Sequence, residues 1–288
     1  MNGIVIVDKP QGWTSQDVTA RLRRVFDTRR IGHGGTLDPM ATGVLPVFVG
    51  RATRAVEFFE HAEKTYETVL LLGKRTDTQD VTGRVLEERP VSLSLEDVED
   101  VLPRFRGEIL QVPPMYSALK VNGQKLCDLA RKGKQVERQP RPITIFELTL
   151  LSFEENRLRL RVRCSKGTYI RTLLEDIAAA MGQKGTMSAL RRTSAGLYTE
   201  ADAHTLEEIL AAKEQGSAAL EALMLPVESV FTPLPLLVVE PWVEQHLYNG
   251  CPTSRYPAAD GRYRVRNAEG QFLGLANIVQ GVLRVEKL

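Results

Sequence analysis

The feature that most constrains this fold is the run Arg157-Leu158-Arg159-Leu160-Arg161-Val162-Arg163-Cys164. Apolar and basic residues alternate without a break. A period of two puts Leu158, Leu160, Val162 and Cys164 on one face and the four arginines on the other, so the run is predicted to be a half-buried strand. The arginine face could hold phosphates or could simply be solvated. Ser165-Lys166-Gly167 then reads as a turn, with Thr168 as a helix cap. Ile170, Leu173, Leu174, Ile177, Ala178 and Met181 follow at helical spacing. Arg171 thus falls in the first helical turn, where a cation opposes the helix dipole at a cost of about 0.3–1 kcal/mol. An arginine in that place calls for an anionic partner.

The same reading extends along the chain. Residues 1–8 form a strand. Thr14 and Asp17 stand in capping-box positions before Val18, Leu22, Val25 and Phe26, which recur at helical spacing. Tyr66–Leu72 is a strand ended by Gly73, and Ser94-Leu95-Glu96-Asp97 opens a helix that stops near Pro103. Leu206–Leu210 and Ala218–Leu225 are predicted helical. Thr232-Pro233-Leu234-Pro235 marks a boundary between residues 1–231 and 232–288. Beyond it come strands at 236–240, 263–266, 272–276 and 282–286 and a helix at 242–248.

With 288 residues, 43% of them hydrophobic, the chain can bury one large core or two smaller ones. No apolar run approaches the roughly 18 residues of a membrane span. The start lacks the basic segment of a signal peptide, and a cytoplasmic protein is expected. Cys127, Cys164 and Cys251 are scattered and odd in number, which suits a reducing compartment. The four histidines show no metal-ligand spacing, and no metal is expected. A net charge of +2 does not by itself signal nucleic acid. The basic residues nonetheless gather at 21–30, 131–141 and 157–171, which permits an RNA-binding face.

One carboxylate is framed for chemistry. Asp38 stands in Gly32-His33-Gly34-Gly35-Thr36-Leu37-Asp38-Pro39-Met40-Ala41-Thr42-Gly43-Val44-Leu45-Pro46, a run whose glycines and prolines allow a tight loop close to a ligand. On the residues alone, an Asx-type surface turn explains an Asp-Pro as well. The whole string resembles the catalytic loop of the bacterial tRNA pseudouridine synthase B family. Asp8-Lys9-Pro10-Gln11-Gly12-Trp13-Thr14-Ser15, Lys64-Thr65-Tyr66-Glu67, residues 72–80, residues 111–120 and Cys164–Arg171 are similar to further signatures of that family, in its order. The tail resembles the family less closely. Its small β-rich end resembles PUA-like RNA-binding domains.

The resemblance implies an α+β enzyme: a mixed, mainly antiparallel sheet flanked by helices, plus a C-terminal PUA-like module. It implies conversion of uridine 55 in the tRNA T-loop to pseudouridine. That isomerisation breaks C1′–N1 and makes C1′–C5, with no redox cofactor, ATP, guide RNA or obligatory protein partner. The absence of a P-loop or dinucleotide fingerprint is consistent with this. Asp38 would be the nucleophile. Whether it attacks C1′ or C6, or deprotonates the sugar, stays open. Arg171 would pair with Asp38. Tyr66 would stack on the flipped base and help the C5 proton leave, though an ordinary core tyrosine fits its strand as well. His33 would fill space among the T-loop bases. Tyr169 and Leu190 would line the uridine pocket, although pattern alone files both as core. Lys9 and Pro10 would support the loop from below. Asp80 takes a matched polar position that a turn role explains equally well.

Two rival classes carry weight at this point. One is a non-catalytic tRNA-binding or tRNA-folding protein that uses the same basic face. The other is a nucleoside glycosidase, which usually needs two carboxylates at a defined separation where only Asp38 is well framed.

Overall fold

The alternating run lies inside a nine-stranded sheet. The computed structural model describes residues 1–121 and 123–287. The chain opens with β1 (Gly3–Lys9), α1 (Ser15–Val25), β2 (Ile31–His33) and β3 (Thr42–Val49). α2 (Val56–Phe59) leads into β4 (Lys64–Leu72), the hairpin of β5 (Lys74–Thr76) and β6 (Val85–Glu88), and α3 (Leu95–Val101). Next come β7 (Gly107–Gln111), β8 (Lys120–Val121), β9 (Gln124–Lys125) and α4 (Leu126–Arg131). β10 (Arg141–Glu154), β11 (Arg157–Cys164), α5 (Ile170–Ala180), β12 (Gly185–Ala195) and β13 (Tyr198–Thr199) follow, then α6 (Leu206–Gln215) and α7 (Ser217–Ala222).

The sheet runs β1-β3-β12-β4-β11-β10-β7, with β2 added to β3 and β13 to β12. Pairing is antiparallel from β7 through β12 and parallel between β12 and β3. This is the mixed, mainly antiparallel sheet that the family resemblance implies. Leu158, Leu160, Val162 and Cys164 are buried, as their alternation requires. The opposite face carries the arginines, whose side chains stay exposed. Arg159 and Arg161 both close on Glu67 of β4, at 2.6 and 3.1 Å, and Arg163 closes on Glu63 at 2.6 Å. These guanidinium groups pair with carboxylates at the solvated surface of the sheet.

α1 starts on the predicted capping box, and Val18, Leu22 and Val25 are buried. Ile170, Leu173, Leu174, Ile177 and Ala178 of α5 are buried at their predicted spacing. Thr168 is not the cap of α5. Its hydroxyl donates to Ser165 O at 3.0 Å, and Tyr169 occupies the cap position. The Tyr169 N–H donates instead to Gln111 Oε1 at 2.8 Å, and Gln111 Nε2 donates to Tyr169 O at 3.1 Å. A side chain from β7 thus fixes the residue at which α5 starts, and no side chain caps the helix itself among the described residues. The helix begun at Leu95 ends at Val101, close to Pro103 as expected, and a 3-10 turn follows over Leu102–Phe105.

The chain forms two units, Met1 with Val5–Met224 and Asn2–Ile4 with Leu225–Leu288. The second begins upstream of the Thr232-Pro233 break for a physical reason. Glu228 binds Arg264 and Arg266, each at 2.7 Å, and Phe231 stacks on Phe272. Ile4 and Leu225 exchange two backbone hydrogen bonds. This unit holds β14 (Leu236–Val238), α8 (Pro241–Tyr248), β15 (Gly261–Arg266), β16 (Phe272–Val279) and β17 (Val282–Lys287), paired in chain order. Val239, Val243, Leu247, Val265, Ile278 and Leu283 are its core. Among the described residues no helix is long and apolar enough to cross a membrane.

Candidate active site

Asp38 lies in the loop between β2 and β3. The loop is held tightly at its base. Gly34 N donates to Pro46 O at 2.8 Å, and a Cβ on Gly34 would meet the Phe59 ring at 2.5 Å, so only glycine fits. Gly43 has φ +99°, and a Cβ there would come within 2.2 Å of Arg192 O. The opening motif braces the loop from the other side. Ser15 Oγ accepts from Leu37 N at 2.9 Å, and Gly12 N donates to Pro39 O at 2.8 Å. The ammonium of Lys9, fully buried, donates to Pro10 O, Trp13 O and Pro39 O at 2.9, 2.6 and 3.4 Å. Burial brings Lys9 down to about 8, against a partial upward pull from Asp38. Lys9 and Pro10 therefore sit where they can support Asp38 from below.

Arg171, in the first turn of α5, reaches Asp38 with Nε at 2.9 Å and Nη2 at 3.5 Å. Its side chain is 7% exposed while that of Asp38 is 34% exposed, so the carboxylate is the member a ligand can reach. The same guanidinium donates to Thr78 O and Tyr116 O, each at 2.8 Å. One side chain thereby joins the Asp38 loop to two other motif segments. Its unfavourable dipole position is offset by this anion and these carbonyls. Asp80 is buried and organises the Thr78 turn. Its Oδ1 accepts from Thr78 Oγ1, Thr82 N and Thr82 Oγ1 at 2.9, 3.0 and 2.5 Å. The structure thus gives Asp80 the turn role, one step removed from Arg171.

Tyr66, Leu190 and Arg192 share one buried face of the sheet. In register, Leu190 of β12 stands opposite Thr68 of β4, and Arg192 stands opposite Tyr66. Burial pushes the Tyr66 phenol above its usual value, with the Arg192 charge opposing that shift. Tyr169 precedes α5, and burial raises its phenol as well. The Asp38 charge is felt by both tyrosines. His33, at the end of β2, is held below its ordinary value by burial and then by Arg192, and is neutral near pH 7. Its Nδ1 is buried without a hydrogen-bond partner among the described residues.

Sequence reasoning missed three contributors. Gln111 holds Tyr169 in place, as described above. Lys64 is buried, donates to Ala62 O at 2.6 Å and Glu60 O at 3.2 Å, and is brought to about 8 mainly by burial. Arg192 is 1% exposed. Its signal was present: in Ala189-Leu190-Arg191-Arg192 the two-residue period puts Arg192 on the face of Leu190. Elsewhere, a cleft of about 380 Å³ is lined by Lys120, Lys125, Asp128, Leu129 and Lys132 around β8, β9 and α4. Among the described residues no cluster of three or more His, Cys, Asp or Glu side chains could hold a metal ion.

Comparison with known proteins agrees with this geometry. Residues 23–170 match the TruB family pseudouridylate synthase N-terminal domain, and residues 171–232 match the tRNA pseudouridylate synthase B C-terminal domain. The tRNA pseudouridine synthase B of Pseudomonas fluorescens (strain Pf0-1) is 46% identical over 281 residues, which is 96% of this chain and 92% of that protein. The protein of the same name from Pseudomonas aeruginosa (strain UCBPP-PA14) is 43% identical over the same shares. Among solved structures, a chain of a Cbf5-Nop10-Gar1 complex superposes with a TM-score of 0.76. At 24% identity, covering 99% of this chain and 84% of that one, it speaks for the fold alone. Motifs, fold and relatives converge, and the chain belongs to the TruB family of pseudouridylate synthases.

Proposed function

We propose that this enzyme converts uridine 55 in the T-loop of tRNA to pseudouridine, with Asp38 as the reacting carboxylate. The observation that carries the reading is the two-point pair between Arg171 and the half-exposed Asp38. It holds a carboxylate in one orientation at the surface of an otherwise packed loop. The target base leaves its stack to reach it, at a cost of a few kcal/mol that is least in a loop. Tyr66 stacks on the extruded base and its hydroxyl assists removal of the C5 proton. Tyr169 and Leu190 line the pocket, and His33, neutral, fills space among the loop bases. Lys9 and Pro10 fix the floor. The cation-lined cleft of Lys120, Lys125 and Lys132 supports contact with the phosphate backbone.

The atoms balance within the substrate: C1′–N1 breaks, C1′–C5 forms, C5 loses a proton and N1 gains one. The residues act on tRNA as a stem-loop without a guide RNA, in the cytoplasm. The C-terminal unit serves as a PUA-like RNA-binding module and the unit that holds Val5–Met224 as the catalytic domain.

The test is tritium release from tRNA labelled at C5 of uridine. Wild type should release about one equivalent per tRNA, and Asp38→Asn should bind tRNA yet release none. Turnover by Asp38→Asn near the wild-type rate would refute the assignment.

A further inference from the structure

Arg192 is among the largest fully buried side chains of the protein, and among the described residues no carboxylate pairs with it. A buried cation without a counter-ion is a poor way to stabilise a fold. Its hydrogen bonds show what it holds. Nε donates to Val44 O at 2.7 Å and Nη2 to Gly35 O at 3.2 Å. Those two carbonyls flank the segment that carries Asp38. In the sheet, β12 places Arg192 between two strands, opposite Tyr66 of β4 on one side and Gly43 of β3 on the other. Directly opposed residues on an antiparallel pair have Cβ atoms about 4.5–5.5 Å apart, which is contact range for a long side chain. At Gly43 the strands approach so closely that a Cβ would meet the Arg192 carbonyl. Arg192 is therefore the point where the loop's two ends, β3 and the tyrosine strand meet.

We propose that Arg192 is the positioning residue of this active site: its guanidinium fork closes the Asp38 loop and sets that loop against Tyr66. The inference rests on the pseudouridine synthase reading of Asp38 and Tyr66. It explains why the side chain is an arginine. A planar fork spans two carbonyls at fixed separation, whereas a lysine is a single donor point. It also explains why a charge is kept where an apolar residue would pack. The groups whose charge bears on the Tyr66 hydroxyl are Arg192, Cys164 and Asp38, and Arg192 is the one that favours the phenolate. Lys64, likewise buried and two residues before Tyr66, points its donors at the Glu60 and Ala62 carbonyls, so it does not duplicate this role.

The test uses the full chain as wild type, Arg192→Lys, Arg192→Gln and Ile209→Ala. Ile209 is a buried residue of α6 and serves as a control for lost stability. Each is read by single-turnover tritium release from C5-labelled T-stem-loop RNA across pH, by RNA affinity, and by Tm. Misplacing reacting groups by about 1 Å costs on the order of 100-fold. Arg192→Lys is expected to slow release by about that factor while RNA affinity stays within about threefold. Ile209→Ala, at a similar loss of Tm, is expected to keep its rate. Arg192→Gln also loses the charge that favours the Tyr66 phenolate, and the limb of its pH profile that follows Tyr66 ionisation is expected to move to higher pH, with Arg192→Lys nearer wild type. If Arg192→Gln does not fold, Arg192→Lys decides the matter through its rate and affinity together.

An Arg192→Lys rate close to that of Ile209→Ala would overturn the proposal, and so would equal losses of rate and affinity. Absence of release from wild type would instead bring down the pseudouridine reading on which the proposal rests.

Discussion

Replacement of Arg171 by lysine probes both stability and chemistry. The guanidinium makes two contacts to Asp38 and one each to Thr78 O and Tyr116 O. A single ammonium cannot span all three segments, so at least two contacts are lost. Hydrogen bonds to a charged group contribute about 1.5–3 kcal/mol each, and a largely buried carbonyl left unpaired costs a similar amount. Lysine keeps the charge, so the full cost of orphaning a buried ion does not apply. The expected destabilisation is about 3 kcal/mol. For a unit of this size each kcal/mol shifts Tm by roughly 2–4 °C, giving a drop of about 6–12 °C. The chemical cost adds to this. Asp38 is itself half-exposed and loses the partner that orients it, and a loose reacting group costs on the order of 100-fold. Thermal denaturation would be followed by circular dichroism, and single-turnover tritium release would be measured well below the variant's Tm. A Tm within about 2 °C of wild type together with a rate within about threefold would refute the reasoning.

Three further outcomes are expected. Tyr66→Phe should keep tRNA affinity while slowing release by about 100-fold or more, since proton-transfer groups contribute 10² to 10⁴; an unchanged rate would restrict Tyr66 to stacking. Gly43→Ala faces both φ +99° and a backbone oxygen at 2.2 Å, whereas Gly12→Ala faces φ +84° with open space around it. Denaturant melts should therefore show Gly43→Ala costing well over the roughly 1–3 kcal/mol of left-handed strain alone and Gly12→Ala costing no more than that; equal costs would contradict the predicted clash. Burial holds Lys9 at about 8 in the native state against 10.5 ordinarily, so between those values the unfolded chain binds more protons than the native one. Stability should rise with pH across that window, and Lys9→Met should flatten the rise, as read from denaturation midpoints; a rise unchanged in Lys9→Met would assign it to other groups.

Local chemistry determined a great deal. Strict alternation made Arg157–Cys164 a strand, and 3.6-residue spacing made α1 and α5 helices, because each buries its apolar face at the period of its backbone. Glycine and proline around Asp38 announced a tight loop, and the ordered motifs that resemble the family singled out Asp38, Arg171 and Tyr66 together. Residues remote in sequence needed the fold. Gln111 beside the start of α5, and Glu63 and Glu67 against the arginine face, depend on which strands become neighbours. Arg192 is the sharpest case. Its two-residue register with Leu190 was legible, but that this register faces Tyr66 on one strand and Gly43 on another arises only when β12 enters the sheet between β3 and β4. Sequence periodicity decides which face of an element a side chain occupies; strand order decides what that face meets.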